Sequence, residues 1–363
     1  MKRSKNNHNS WLMLLVIGLI LALILTACGE STITSTDSLP SNYRIKPAQI
    51  VSTTDGGVTW NSIYTNTAGG PFDFRAISCP TADNCFVWSN GGQLSATYDA
   101  GNHWGWRGTV SSSGFGIPSN TTPDQLICPD YINCYLLNWY SIHGSYDGGA
   151  NWEEFKLIDL RGARFRSISC PGAKTCFVVG TNGLITTTID GGKTWTKQTS
   201  GSTGELTSVS CTSLTTCIVT GVFPSDKNRN NGIATITSDA GKTWNTQYSS
   251  LISNLSTVTC PGIITCYAIE VSKVGGSDKK VFATKDGGKN WQDKSPAVTT
   301  LGTKISCPNI TTCYIANIKE LVTFTINGGN SWVSKSIGLP RELRDIACVS
   351  STSCFVLAAK DEG

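Results

Sequence analysis

Histidine is almost missing from this chain: there are three in 363 residues, and only His103 and His143 lie beyond the N-terminal segment. Zinc sites favour closely spaced cysteines, often with histidine, so the scarcity argues against a metal centre, and no cofactor is expected. Net charge is also nearly missing. The formal +4 includes Lys2, Arg3 and Lys5. Without those three, 26 basic residues face 25 acidic ones, and no nucleic-acid footprint remains. Only one long apolar run exists, at residues 11–25, and it is short for a membrane-spanning helix. With three basic residues before it and small residues after it, it reads as a secretory signal.

The end of that run, Leu25-Thr26-Ala27-Cys28, resembles the bacterial lipobox. The resemblance implies that residues 1–27 are removed and that Cys28 is lipidated. An uncleaved anchor helix is the alternative. Both readings put the rest of the chain outside the cytoplasm, tethered to a bacterial cell membrane, and a diacylated cysteine would hold it stably. Residues 28–43, rich in Ser and Thr, read as the lipidated cysteine and a flexible tether. Residues 44–363 form the folded domain.

What the chain has in abundance is repetition. "TTDGGVTW" (53–60) returns as "TYDAGNHW", "SYDGGANW", "TIDGGKTW", "TSDAGKTW", "TKDGGKNW" and "TINGGNSW". These resemble the Asp-box, or BNR, repeat. A second signature interleaves with the first. Fourteen of the 15 cysteines form seven C-x5-C pairs: Cys79/Cys85, Cys128/Cys134, Cys170/Cys176, Cys211/Cys217, Cys260/Cys266, Cys307/Cys313 and Cys348/Cys354. The fifteenth is Cys28, so none is left over as a nucleophile. In an exported chain, paired cysteines read as disulfides.

One repeat reads as four β-segments: "RFRSISC", "CFVVG", "LITTTI" and "KTWTKQ". Seven such units predict an all-β fold, a seven-bladed β-propeller of four-stranded antiparallel blades with one C-x5-C disulfide hairpin per blade. The chain opens with an Asp-box hairpin and ends after a cysteine hairpin. The two half-blades therefore predict a two-plus-two closure that leaves no exposed sheet edge.

The boxed Asp55, Asp99, Asp147, Asp190, Asp239 and Asp286 read as turn-holding side chains, since Asn327 takes the same place without being an acid. The box tryptophan is expected to pack its own hairpin down. Length varies only between blades and between second and third strands. Trp104 to Cys128 spans 24 residues where 16 is commonest, and Cys217 to Asp239 spans 22 where 14 is commonest. These connections share one face of the ring, so the binding surface is expected there, at 105–123, 223–232 and 271–279. Neutral surface insertion is the alternative.

Arg75, Arg166 and Arg344 each stand four residues before a first cysteine, near the start of the innermost strand, with Arg161, Arg164 and Arg341 close by. Such an arc suits a carboxylate or an acidic protein loop, and serves equally as salt bridges between blades. Asp73, Glu205, Glu342 and Asp345 are the carboxylates in register to be tested for a catalytic pair.

The whole unit "FRSISC…CFVVGTNGLITTTIDGGKTW" resembles the photosystem II stability/assembly factor family of seven-bladed Asp-box propellers, over residues 46–363. Some members are lipoproteins, and an arginine-rich patch is associated with partner binding. The resemblance implies a non-enzymatic protein-binding or assembly factor, although that family does not need the cysteine hairpins. A weaker resemblance, to sialidase-type glycosidases, implies a carbohydrate-active or glycan-binding protein. Here "FRIP" is missing, and Phe74-Arg75-Ala76-Ile77 is a partial echo. Those enzymes are six-bladed, and no nucleophile–acid pair can be assigned in this chain.

Overall fold

The computed structural model describes residues 47–65, 73–109, 125–155, 162–224, 230–249, 254–271, 279–298 and 301–359. The signal segment, Cys28, the tether, Arg161 and the middles of the three insertions lie outside the described residues.

Among the described residues, alternating side chains in each repeat produce 28 strands, and these pair into seven four-stranded antiparallel sheets. The segment after each Asp-box runs outermost. The segment entering the first cysteine lines the axis: β3 (Phe74–Ser78), β7 (Gln125–Ile127), β11 (Phe165–Gly172), β15 (Glu205–Cys211), β19 (Leu255–Thr259), β23 (Lys304–Ser306) and β27 (Leu343–Cys348). We number the blades 1 to 7 by these strands. Blade 7 joins the two ends of the chain. There β1 (Gln49–Thr53) pairs with β28 (Cys354–Ala358), with Ile50 opposite Leu357, and β2 (Asn61–Thr65) completes the sheet. The expected two-plus-two closure is the one that forms.

All seven C-x5-C pairs are disulfides, with Cα–Cα separations of 4.0–4.1 Å. Cys79 bonds Cys85, Cys128 bonds Cys134, Cys170 bonds Cys176 and Cys211 bonds Cys217. Cys260 bonds Cys266, Cys307 bonds Cys313 and Cys348 bonds Cys354. Each ties the first strand of a blade to the second. The second cysteine of every pair (Cys85, Cys134, Cys176, Cys217, Cys266, Cys313 and Cys354) is fully buried in the packing between blades. These second cysteines are therefore internal staples. Closing a seven-residue loop is worth about 2–2.5 kcal/mol in the chain-entropy model.

The core is divided into seven apolar clusters, one at each interface between neighbouring blades. This revises the reading of the box tryptophans. Rather than packing only their own hairpins, they wedge against the preceding blade. Trp152 of blade 2, for example, sits among Phe86, Trp88 and Leu94 of blade 1. Losing a buried ring of that size typically costs about 3–5 kcal/mol.

The box glycines follow from the same packing. The first has a left-handed φ of moderate size, which Ala100 (59°) and Ala240 (62°) also adopt. The second, at φ 80–97°, is glycine in every copy, and in six of the seven a Cβ would lie within 3.0 Å of the preceding blade, Gly57 being the exception. At Gly192 it would lie 2.4 Å from Phe155 Cε2, and at Gly149 2.0 Å from Leu94 Cδ2.

Two further sets of bonds fix the ring. In every blade the backbone N–H of the first box glycine or alanine donates to a carbonyl of that blade's cysteine loop, as Gly191 does to Lys174 (2.9 Å) and Gly287 to Ile264 (2.9 Å). In blade 7 this bond joins opposite ends of the chain, Gly56 N–H to Thr352 O (3.0 Å). Neither loop can change length without losing it, which explains why neither does.

Around the axis, a side chain on one inner strand accepts from a backbone N–H of the next. Ser78, Ser169, Ser210 and Ser306 accept from Cys128, Cys211, Cys260 and Cys348 (2.8–3.0 Å). Gln125, Ser167, Ser208 and Asp345 accept from Ile168, Val209, Val258 and Ile77 (3.0–3.3 Å). The last of these crosses the closure seam.

Two element boundaries differ from the sequence reading. The fourth strand of blade 3, β14 (Thr196–Thr199), starts after Trp195 because Thr194 is held by Asp190. Residues 105–109, assigned to an insertion, form β6 (Gly105–Thr109), the outer strand of blade 1.

Candidate functional site

The Asp-box carboxylates are occupied by their own loops. In each box the Thr or Ser hydroxyl two residues earlier donates to the carboxylate or amide Oδ1 (2.7–3.0 Å) and accepts from the second glycine's N–H. The backbone N–H four residues on completes the ring (2.9–3.0 Å). Asn327 makes the same bonds through Oδ1, while its Nδ2 donates to Ser331 Oγ (2.8 Å).

The Thr194 hydroxyl and backbone N–H, then the Thr188 hydroxyl, hold Asp190 at a pKa of about 2. Asp55 and Asp239 are held at about 2 in the same way, and Asp99 at about 2 by the His103 backbone N–H and ring and then the Thr97 hydroxyl. A carboxylate depressed below its usual 3.8 contributes stability that is full above about pH 4 and is lost as the pH falls toward 2. Replacing all four with Asn should therefore flatten the fall in melting temperature between pH 4 and pH 2. An unchanged slope would assign acid sensitivity to other groups.

The variable face is organised differently. In blade 2, Asn138 Oδ1 accepts from the N–H groups of Tyr140 and Ser141 (2.8 and 2.7 Å), fixing the turn between β8 (Cys134–Leu137) and β9 (Ile142–Ser145). Trp139 O accepts from Phe165 N–H on blade 3 (3.0 Å). Arg164 and Arg166 flank Phe165 and point the same way. Arg166 lies 5.0 Å from the Trp139 ring, and Arg164 lies 5.5 and 5.7 Å from the rings of Trp139 and Tyr140. Tyr140 is 59% exposed and Trp139 41%, and a cation over an indole face is held by the ring quadrupole. Arg166 also pairs with Glu205 of blade 4 at 2.6 Å. Blade 4 stands above the ring here, because its insertion prolongs the hairpin of β16 (Cys217–Pro224) and β17 (Asn230–Thr237).

A second cluster crosses the closure seam. Asp73 Oδ2 lies 3.4 Å from Arg344 and 4.0 Å from Arg75, and Arg344 also binds Glu342 at 2.8 Å. Arg75 and Arg344 are thus brought together, whereas Arg166 stands apart across blade 2. Arg341 leaves the proposed arc altogether. It is buried and donates to Pro47 O, where the chain enters the ring.

The carboxylates in register are each held by other groups. Asp73, Glu205 and Glu342 are tied to arginines. Asp345 is turned into the axis, where it accepts from Ile77 and Ile346, and burial pushes its carboxyl up against the opposing pull of Lys304. Among the described residues, no three His, Cys, Asp or Glu side chains come together as metal ligands. His143 is buried beside Ser141, and burial lowers its pKa to about 4, so it is neutral at pH 7.

Sequence reasoning missed two groups. Trp139 and Tyr140 are an aromatic pair in the turn between the second and third strands of blade 2, where the corresponding turns of blades 1, 3 and 6 carry no aromatic residue. Lys279 and Lys304, with Arg344 and Glu342, line a groove of about 220 Å³ between blades 5, 6 and 7. Lys304 and Arg166 also border the axial channel, about 590 Å³. The variable face therefore carries cations on both sides of the channel mouth.

Such a ring is a disulfide-stapled Asp-box β-propeller, of a kind resembling the photosystem II assembly factor. A family model described as "Photosynthesis system II assembly factor YCF48" matches residues 134–265, a little over a third of the chain. The fold is shared with solved structures of "YCF48 bound to D1 peptide" (16% identity, covering 88% of this chain and 94% of that one, TM-score 0.60). It is shared also with YCF48 from Cyanidioschyzon merolae (16%, 83% and 96%, TM-score 0.58). The RRP9 WD40 repeats have a similar fold at lower identity (8%, 87% and 100%, TM-score 0.58). No curated protein matches the chain.

Proposed function

We propose that this propeller is a membrane-tethered, extracytoplasmic, non-enzymatic protein-binding factor that holds an acidic or carboxylate-bearing segment of a membrane protein on its variable face, in the manner of a photosystem II assembly factor. The observation that carries the reading is the rigid turn of blade 2, where Trp139 and Tyr140 lie under Arg164 and Arg166. An aromatic plate and two guanidinium groups offer apolar area together with forked donors for a carboxylate. The likeness to a propeller solved with a D1 peptide supports a peptide as the ligand class. The lipobox supports tethering through Cys28, and the disulfides support an oxidising compartment.

Calorimetric titration with acidic peptides and their amidated counterparts tests this. Arg164→Ala/Arg166→Ala and Trp139→Ala should each weaken the acidic peptides by about tenfold or more. Equal binding of acidic and neutralised peptides would contradict it.

A further inference from the structure

The opposite face, made of cysteine loops and Asp-boxes, carries exposed apolar tips on both halves, Val58, Tyr98, Tyr131 and Ile132 on blades 7, 1 and 2 among them, but its charged tips are unevenly distributed. On blades 3 to 6, Ile189, Leu214, Ile263, Ile264, Ile310 and Ile326 are each 52–75% exposed. They stand at the ends of loops that a disulfide or an Asp-box locks in place. Neighbouring loops touch: Leu214 leans over Gly172 of blade 3, and Ile310 over Gly262 of blade 5. The same loops carry Lys174, Lys193, Lys242, Lys285 and Lys289, all exposed, against Asp190, Asp239 and Asp286. The corresponding loops of blades 7, 1 and 2 carry Asp55, Asp83, Asp99, Asp130 and Asp147 with no lysine or arginine.

We propose that the arc of blades 3 to 6 on the disulfide face rests on an anionic phospholipid surface. The aliphatic tips enter the headgroup boundary and the lysines meet lipid phosphates, while the acidic arc of blades 7, 1 and 2 tilts away. Three features favour a bilayer over a protein partner. The aliphatic tips are one or two side chains per loop set among Ser, Thr and Asn, as in "TSLTTC", "PGIITC" and "PNITTC", and the cavity they border, beside Ile263, is only about 10 Å³. The lysines beside them suit a diffuse anionic plane. The face is held rigid by bonds within the blades, so it meets a plane without ordering cost. The proposal concerns a different face from the peptide site and does not need the lipid on Cys28.

The ring is complete without residues 1–44, since every disulfide and every apolar cluster lies within it, so residues 45–363 can be tested alone. Flotation with vesicles of phosphatidylglycerol and phosphatidylcholine in equal parts should carry the wild type. Ile263→Ser/Ile264→Ser/Ile310→Ser and Lys242→Glu/Lys285→Glu/Lys289→Glu should each lower vesicle affinity by about tenfold or more. Added salt should weaken the wild type. Tyr131→Ser/Ile132→Ser, on the acidic arc, should float as the wild type does. These substitutions are at exposed tips and leave the fold intact, which circular dichroism checks. A wild type that floats with no vesicle, or an Ile triple variant that floats unchanged, would overturn the proposal and leave the peptide site untouched.

Discussion

Reducing the seven disulfides is expected to unfold the propeller at physiological temperature. Seven links at about 2–2.5 kcal/mol each amount to roughly 15 kcal/mol, comparable with the whole stability of an ordinary domain. The blades have little in reserve. The inner strands β7 and β23 are three residues long, and β22 (Gln292–Asp293), the outer strand of blade 5, has two. Each disulfide also holds the cysteine loop on which the Asp-box docks, so opening one loosens both loops of a blade.

The effect should be uneven. Cys348→Ser/Cys354→Ser lies in the blade that joins the chain ends, where losing the hairpin frees β1 and opens the ring. Cys211→Ser/Cys217→Ser lies in blade 4, whose second and third strands have eight residues each. The first pair should lower the melting temperature more than the second. Circular dichroism melts with and without reductant check both expectations, and an unchanged midpoint on reduction would show that apolar packing alone holds the ring.

Much of this architecture is legible in the sequence because it repeats. Seven boxes and seven cysteine pairs at fixed offsets define the blade, and the half-blades at the two ends define the closure. Relations between blades are not legible, because they depend on how inner strands align around the axis. Asp345 looks like any carboxylate near the channel until its register with Ile77 is known. The spacing of Cys170 and Cys176 shows that they can pair, but not that Cys176 is sealed between blades 2 and 3. The box tryptophans look like local hairpin packing, yet they also join clusters with the preceding blade. The arginines are legible as a set but not as two separate groups. Only the ring places Arg75 and Arg344 on one carboxylate and Arg166 on Trp139. Arg341 shares the composition of the arc, but its guanidinium is turned inward to Pro47.

The largest functional effect is expected from the arginines of the variable face. Arg75 and Arg344 share Asp73, while Arg166 faces the channel mouth beside Glu205, and all three side chains keep part of their surface in solvent. A ligand carboxylate can compete for such guanidinium groups by bidentate contact, replacing the long contacts of Arg75 and Arg344 to Asp73 and exchanging with the exposed Glu205 and Glu342. Arg75→Ala/Arg166→Ala/Arg344→Ala removes all three at once. It leaves the inter-blade clusters intact, since none of the three belongs to them.

Affinity capture from detergent-solubilised membranes of the source organism, with oxidised residues 45–363 as bait and mass spectrometry as readout, tests the central claim most directly. The account predicts one enriched membrane protein complex that the wild type captures and the triple-arginine variant loses. Equal recovery by the two baits, or no complex above background with a folded wild type, would contradict it.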